Sequence, residues 1–195
     1  MATLVAIPVY NEEKQLEGVL RQTLIHPVDV LVIDDGSTDG TADVLRRFPE
    51  VSVLRHARNR GYGAALRAAF DHGCRNDYDV VITMDSDGQH EPSLIPGFIE
   101  LAGQKVDVVS GSRYLGSFDV DTPAPKERRR INSLVTDVLN ACFQLDLTDS
   151  FCGFKAYRTD ALRRLTLTEN GYGMPLELWV EAACLGLTIR EIPVP

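Results

Sequence analysis

The sequence predicts an α/β protein built on a largely parallel sheet, and three observations carry that prediction. Short apolar runs rich in β-branched residues alternate with segments of helical period, joined by short connections. Three of the runs end in polar clusters: Pro8-Val9-Tyr10-Asn11-Glu12, Asp34-Asp35-Gly36-Ser37 and Asp85-Ser86-Asp87. No internal repeat or low-complexity segment interrupts the pattern. In a parallel sheet the strand ends share one edge, so the three clusters converge where open α/β sheets bind ligands.

The elements follow in order. Residues 3–7 form a first strand stopped by Pro8, and Asn11 caps a helix reaching about Thr23, with Glu12 and Glu13 in its first turn. Residues 28–33 form a second strand, and the polar stretch 34–41 leads into a helix over 42–47. A third strand covers 51–54, and residues 61–72 carry Ala and Leu at helical spacing. Residues 79–84 are the fourth strand, its apolar run suited to burial on both faces. A helix over 92–102 has Pro92 in its first turn, and residues 106–110 are the fifth strand. The second half changes character. Residues 116–127 hold three acids and two prolines with little apolar periodicity, which reads as a mobile loop. A helix over 128–144, a strand at 151–157, helices at 160–165 and 176–185, and a strand at 188–194 complete the chain.

Composition narrows the function classes. A chain of 195 residues with 44% hydrophobic and 25% charged content is an ordinary soluble globular protein of one domain. The net charge of −8 argues against an extended nucleic-acid surface. Arg128-Arg129-Arg130 is the one dense basic run and, taken alone, reads as a solvated helix face. Cys74, Cys142, Cys152 and Cys184 form no C-x-x-C pair, so reduced, mostly buried thiols are expected. No signal peptide or membrane-spanning run is legible. The reading is a cytoplasmic protein, compatible with a peripheral position at the membrane face.

Asp85-Ser86-Asp87 is the chemically sharpest stretch. Two carboxylates one residue apart at a strand end offer hard oxygens to a divalent cation, and such a cation often also holds a phosphate. The bland reading is a polar strand end capping the next helix. Likewise Tyr10 offers a ring to a nucleobase, and Asp34 or Asp35 can accept from base N–H groups or ribose hydroxyls. Each cluster alone is weak; the three together are not.

Their order, with Asn59-Arg60-Gly61-Tyr62-Gly63-Ala64-Ala65, Gln89-His90 and Gly111-Ser112-Arg113, resembles family 2 glycosyltransferases of the GT-A fold, in particular the dolichyl- or polyprenyl-phosphate sugar transferases. The resemblance runs colinearly through nearly the whole chain. It implies a Rossmann-like three-layer α/β/α sandwich, residues 1–195 as a single glycosyltransferase domain. The nucleotide-sugar half would span about 1–112 and the acceptor half about 113–195.

The resemblance also implies roles. Pro8, Tyr10 and Glu12 would frame the nucleoside pocket, Asp34 and Asp35 would read base and ribose, and Asp85, Ser86 and Asp87 would complete the nucleotide-sugar site. Asp85, Asp87 and Gln89 would hold Mg²⁺ or Mn²⁺, which neutralises charge on the departing diphosphate. Arg113, Arg129 and Ser133 would bind the acceptor phosphate, since a guanidinium fork grips phosphate bidentately. Asp87, Arg113 and Arg129 would be the catalytic set. Asp149-Ser150-Phe151-Cys152-Gly153-Phe154-Lys155 matches a later motif in which Ser-Gly-Phe-Arg is commoner; Cys152 is read as packing.

The implied activity is an inverting, metal-dependent hexosyltransferase that moves a sugar from a GDP-mannose- or UDP-glucose-type donor to a polyprenyl phosphate at the membrane surface. A homo-oligomer is compatible with it; nucleic acid is not a partner. A phosphate acceptor is already anionic and needs positioning more than deprotonation, whereas a hydroxyl acceptor needs a base, for which Asp149 is the candidate. Two alternatives remain: a saccharide or protein hydroxyl acceptor, or a catalytically silent nucleotide-sugar-binding module serving a partner subunit. His90 is read as turn packing, Trp179 as core, and Glu177 with Glu181 as a solvated face, although Glu177 falls where the family places an acid near the site. Relatives usually continue past Pro195 into a basic segment over the diphosphate, so the sequence reads as trimmed or as a minimal member.

Overall fold

The computed structural model describes residues 1–116 and 126–195. Seven strands form one sheet: β1 (Thr3–Val9), β2 (Asp29–Asp34), β3 (Ser52–Arg55), β4 (Val80–Thr83), β5 (Val108–Ser112), β6 (Lys155–Arg158) and β7 (Ile189–Pro193). Their order is β3-β2-β1-β4-β6-β5-β7. Strand β6 runs antiparallel to both neighbours, β4 and β5; every other pair is parallel.

The helices are α1 (Leu16–Thr23), α2 (Thr41–Leu45), α3 (Tyr62–Arg75), α4 (Ile95–Gly103), α5 (Lys126–Phe143), α6 (Thr159–Leu162) and α7 (Met174–Cys184). Strand alternation sorts them into two layers. On β1, Val5, Ile7 and Val9 face a cluster with Leu16 and Leu20 of α1, Val44 of α2, and Ile95 and Phe98 of α4. Leu4 and Ala6 face the opposite cluster, with Leu66 and Phe70 of α3, Leu139 of α5, and Leu178 and Trp179 of α7. The result is the expected three-layer α/β/α sandwich.

Several local expectations change. Asn11 is not a helix cap: α1 begins at Leu16, and Asn11 sits at φ 59°. Asparagine tolerates that left-handed geometry, and here its side chain is engaged by the loop after β2. Of the expected 151–157 strand only residues 155–157 pair, with Arg158 added at the end, while Phe151 N–H is drawn to Asp149 Oδ1. Pro92–Leu94 forms a 3₁₀ turn before α4. Of the expected mobile loop, residues 117–125 lie outside the described residues, and Lys126 and Glu127 already belong to α5. The thiols are not mostly buried: Cys152 is, Cys74 is half-buried, and Cys142 and Cys184 lie on solvent-facing sides of α5 and α7. Among the described residues no helix is long and apolar enough to cross a membrane.

Trp179 is completely buried and donates its indole N–H to the Ser150 carbonyl at 2.8 Å. It therefore pins the loop behind the sheet edge as well as filling the core. Trp179→Phe retains much of the volume but orphans that carbonyl, so it is expected to cost about 2 kcal/mol. Urea unfolding followed by circular dichroism measures it, since Trp179 is the sole tryptophan. An unchanged midpoint would show that the hydrogen bond adds nothing.

Candidate active site

The C-terminal ends of β1, β2 and β4 meet on one edge of the sheet. The loops after β1 and β2 are laced together. Asn11 N–H donates to Ser37 Oγ at 3.0 Å, and Asn11 Oδ1 accepts from Thr38 N–H at 2.8 Å. Glu12 N–H donates to Thr41 Oγ1, and Glu13 Oε2 accepts from Gly40 N–H. Ser86 Oγ donates to the Pro8 carbonyl at 3.2 Å, fastening the third cluster to the first. Pro8, Glu12, Asp34, Asp35, Asp85, Ser86 and Asp87 thus share this edge, with Tyr10 half-exposed beside them. Burial, then the Asp87 and Asp39 charges, raise the Glu12 pKa.

The two adjacent aspartates differ. Asp35 is committed to the protein: its carboxylate accepts from Arg60 N–H at 3.0 Å and Gly61 N–H at 2.8 Å, with His56 Nδ1 at 2.6 Å. Asp34 is 0% exposed and accepts from Ser37 N–H at 2.8 Å through Oδ1. Its Oδ2 has no hydrogen bond; Arg55 Nε stands 3.2 Å away but misaligned, an ionic contact only. A buried acceptor without a donor is costly, so Asp34 retains capacity for an incoming N–H or hydroxyl.

Asp85 is positioned from three sides. Tyr62 hydroxyl donates to its Oδ1 at 3.1 Å, and its backbone N–H donates to His90 Nδ1 at 3.0 Å. His90 therefore carries its proton on Nε2 when neutral, and burial lowers its pKa. Its ring stacks on Phe154 at 5.3 Å. At Gly153 a Cβ would fall 2.3 Å from Asp85 Oδ2, so glycine is required for the carboxylate to lie there. Asp87 and Gln89 are exposed, and Gln89 N–H donates to Asp87 Oδ1 at 3.0 Å. Among the described residues no three His, Cys, Asp or Glu side chains converge on a metal cage. Asp85, Asp87 and Gln89 would offer a cation two carboxylates and an amide oxygen. Hard oxygens in that number suit a cation that keeps waters and takes its other ligands from phosphate.

The other side of the site is cationic. Arg113 follows β5 and forms a fork with Asp149, Nε to Oδ2 at 2.7 Å and Nη2 to Oδ1 at 2.9 Å. Asp149 also accepts from Asn132 Nδ2 at 2.7 Å and Phe151 N–H at 3.2 Å. Glu191 on β7 receives the backbone N–H groups of Thr148 and Asp149, steadying that turn. Asp149 is 0% exposed, while the Arg113 side chain keeps 35% of its surface. The Arg113 and Arg129 guanidinium carbons lie 5.8 Å and 5.2 Å from the Tyr114 ring centroid, so one aromatic ring gathers both cations. Ser133, one turn on from Arg129, lines an open groove with Arg129, Arg130, Leu134 and Asp137.

Several contributors escaped the sequence reading. Tyr62 lies in the Asn59–Ala65 motif but has no role assigned there, and Asn132 lies in no quoted motif. Lys155 is nearly fully buried, its amine donating to the Cys152 carbonyl and lying 5.3 Å from the Trp179 ring centroid; burial lowers its pKa. Glu177 is not a bare solvated acid, since it accepts from Thr168 and Glu169 N–H groups.

The Arg113–Asp149 fork predicts a pH dependence. Burial pushes the Asp149 pKa up, but the Arg113 fork and Asn132 outweigh it, leaving the carboxyl below its ordinary 3.8. A depressed folded-state pKa contributes stability above the unfolded value and loses it as pH falls through the folded one. Asp149→Asn should therefore cost about 2 kcal/mol at neutral pH, the partial exposure of Arg113 limiting the loss. The gap to wild type should narrow below about pH 4. Urea midpoints measured from pH 7 to pH 3 test this; a constant gap would refute the assignment.

Known proteins match this architecture. Residues 4–166 match the family described as glycosyl transferase family 2. The undecaprenyl-phosphate mannosyltransferase of Micrococcus luteus is 37% identical over 205 residues, covering 100% of this chain and 83% of that protein. The polyprenol monophosphomannose synthase of Mycolicibacterium smegmatis is 31% identical, covering 98% and 76%. Among solved structures, glucosyl-3-phosphoglycerate synthase from Mycobacterium tuberculosis in complex with Mn²⁺, UDP and phosphoglyceric acid superposes with a TM-score of 0.75. At 21% identity, covering 98% of this chain and 68% of that one, it shows the shared fold. With sheet order, strand-end clusters and sequence in agreement, the chain belongs to glycosyl transferase family 2 and is a glycosyltransferase of the GT-A fold.

Proposed function

We propose that the protein is an inverting, metal-dependent glycosyltransferase that moves a sugar from a nucleotide sugar to the phosphate of a polyprenyl lipid. The names of the two sequence relatives favour mannose as the sugar. The observation that carries the acceptor assignment is the Arg113–Tyr114–Arg129 cluster beside an Asp149 already consumed by its fork. A buried carboxylate with both oxygens engaged and a depressed pKa is a poor base for a hydroxyl. Two guanidinium groups on one ring suit an anion that needs no deprotonation. Exposed Ile131, Leu134 and Val138 on α5 are consistent with an acceptor presented at a lipid surface.

On this reading, residues up to about 112 bind the donor and those beyond bind the acceptor. Pro8, Tyr10 and Glu12 frame the nucleoside, and the orphan oxygen of Asp34 takes the base or ribose donor. Asp35 acts by holding the Arg60–Gly61 turn. Asp85, Asp87 and Gln89 are the ligands for Mg²⁺ or Mn²⁺, and such a cation would supply Lewis-acid stabilisation of the departing diphosphate. Mn²⁺ beside UDP in the structural relative supports that choice. Arg113, Arg129 and Ser133 orient the acceptor phosphate so that its oxygen attacks the anomeric carbon from the face opposite the leaving group. The C–O bond to the nucleoside diphosphate breaks with its electron pair on the diphosphate, and the configuration inverts.

Calorimetric titration of GDP and UDP, each with and without Mn²⁺, tests the donor half. One nucleotide should bind in a metal-dependent manner, and Asp87→Ala should abolish that binding. Turnover with undecaprenyl phosphate tests the acceptor half. Arg129→Ala removes an exposed side chain and should lower turnover by about a hundredfold while leaving nucleotide affinity unchanged. Unaltered turnover in Arg129→Ala and in Arg113→Lys would sink the phosphate-acceptor reading, and sugar transfer to a hydroxyl acceptor would replace it.

A further inference from the structure

Tyr172 has no task in the scheme above, yet the fold spends many contacts on it. It is 83% exposed, the most exposed large hydrophobic side chain among the described residues. A bare ring of that kind ordinarily rides on a loosely held tip. Here the preceding segment is tightly braced. Glu177 receives the Thr168 and Glu169 N–H groups at 2.9 Å and the Thr168 hydroxyl at 2.7 Å. Arg67 Nη1 donates to the Thr168 carbonyl and to Asn170 Oδ1, both at 2.9 Å. Ala64 N–H donates to the Asn170 carbonyl at 3.1 Å, and Gly171 N–H to Glu169 Oε1 at 2.7 Å.

Two glycines of α3's entry permit this contact. A Cβ at Gly61 would fall 2.4 Å from the Asn170 carbonyl oxygen, and one at Gly63 would fall 2.5 Å from that of Glu169. Neither backbone could yield without shifting the helix or the loop. The outcome is a flat stack of Tyr172 on Tyr62, centroids 5.6 Å apart and planes within 13°. The Tyr62 hydroxyl in turn donates to Asp85 Oδ1. One face of Tyr172 is covered by Tyr62, and the residue's exposure leaves the remainder of the ring to solvent.

We propose that Tyr172 is the stacking platform for the donor's hexose ring, an inference that rests on the donor site proposed above. A sugar linked to a diphosphate at Asp85 and Asp87 lies about one ring away from those carboxylates, and one aromatic ring separates Tyr172 from Asp85. A pyranose presents C–H groups on its face and hydroxyls at its rim, so a rigid aromatic surface recognises it while the rim stays hydrogen-bonded. In the donor site proposed above, the nucleobase falls to Tyr10 and Asp34. The lipid phosphate is served by the arginines of β5's end and α5. Tyr62 is a positioning residue, holding the platform and Asp85 in one register.

The test compares wild type, Tyr172→Ala and Tyr172→Phe by calorimetry with Mn²⁺, using GDP, UDP, GDP-mannose and UDP-glucose. Tyr172→Ala should weaken binding of the nucleotide sugar about tenfold and leave the free nucleoside diphosphate unchanged. Tyr172→Phe should restore the sugar-dependent affinity. In turnover, the donor KM should rise in Tyr172→Ala and the polyprenyl phosphate KM should not. Nucleotide-sugar affinity equal to wild type overturns the proposal. So does an equal loss for free diphosphate, which would mean that Tyr172 merely props Tyr62, and so does a change confined to the acceptor KM. A wild type that binds none of the four ligands overturns the donor site itself, and the platform with it.

Discussion

The carboxylate of Asp35 is the fastening on which the loops at the ends of β2 and β4 depend. It is buried at the end of β2 and gathers Arg60 N–H, Gly61 N–H and the His56 ring. A charge out of water is tolerable only when hydrogen bonds replace its hydration, and those bonds come from the turn that starts α3. Asp35 therefore fixes where α3 begins. Tyr62 is the first residue of that helix, so its hydroxyl reaches Asp85 only if the turn is held. Two strand ends separated by β1 in the sheet are coupled in this way through one carboxylate and one phenol.

The end of β5 is built on the opposite sign. A fully buried Asp149 carries the cost of burial so that Arg113 can stand partly in solvent in a set orientation. Its pair and hydrogen bonds are complete, which is the condition under which a buried ion pair is tolerable. The donor edge leaves negative charge uncompensated at Asp85 and Asp87, and the acceptor edge leaves positive charge at Arg113 and Arg129. Preorganised groups of opposite sign at strand ends of one sheet are the kind of electrostatic arrangement on which the proposed transfer would draw.

The fold class, the succession of elements in the first half and the strand-end clusters were legible because they follow from short-range patterns. The continuous apolar run of β1 and the helical spacing on α3 are read directly from residue type. What escaped depends on distance in space. Asn11 reads as a cap from its neighbours, but Thr38, remote in sequence, turns it into a bridge. Asp34 and Asp35 are adjacent and chemically identical; only the His56 and Gly61 contacts separate the committed acid from the one with an oxygen to spare. Tyr62 and Lys155 stood in quoted motifs and Asn132 in none, but the contacts of all three lay hidden, since nothing in a tyrosine's sequence neighbours announces a partner some twenty residues away. The glycines of the Asn59–Ala65 motif were read as family marks, while their physical reason is the approach of residues 169–171.

The placement of β6 has a consequence for synthesis. Strands β1 to β3 pair only within the first four strands and β4 leaves one edge for β6, but β5 pairs only with β6 and β7. Both are made later, β6 beginning more than forty residues downstream. While the chain grows from its N-terminus, β5 leaves the ribosome with both edges unsatisfied and its apolar faces open. Unpaired edges of that kind template aggregation. The long α5 and the segment leading to β6 thus set a waiting time during translation, and the step that ends it inserts an antiparallel strand into the gap. The last strand, β7, then covers the other edge of β5 and brings the Glu191 that steadies the Asp149 turn, so the covering of β5 and the setting of the Arg113 fork both wait on the last strand made.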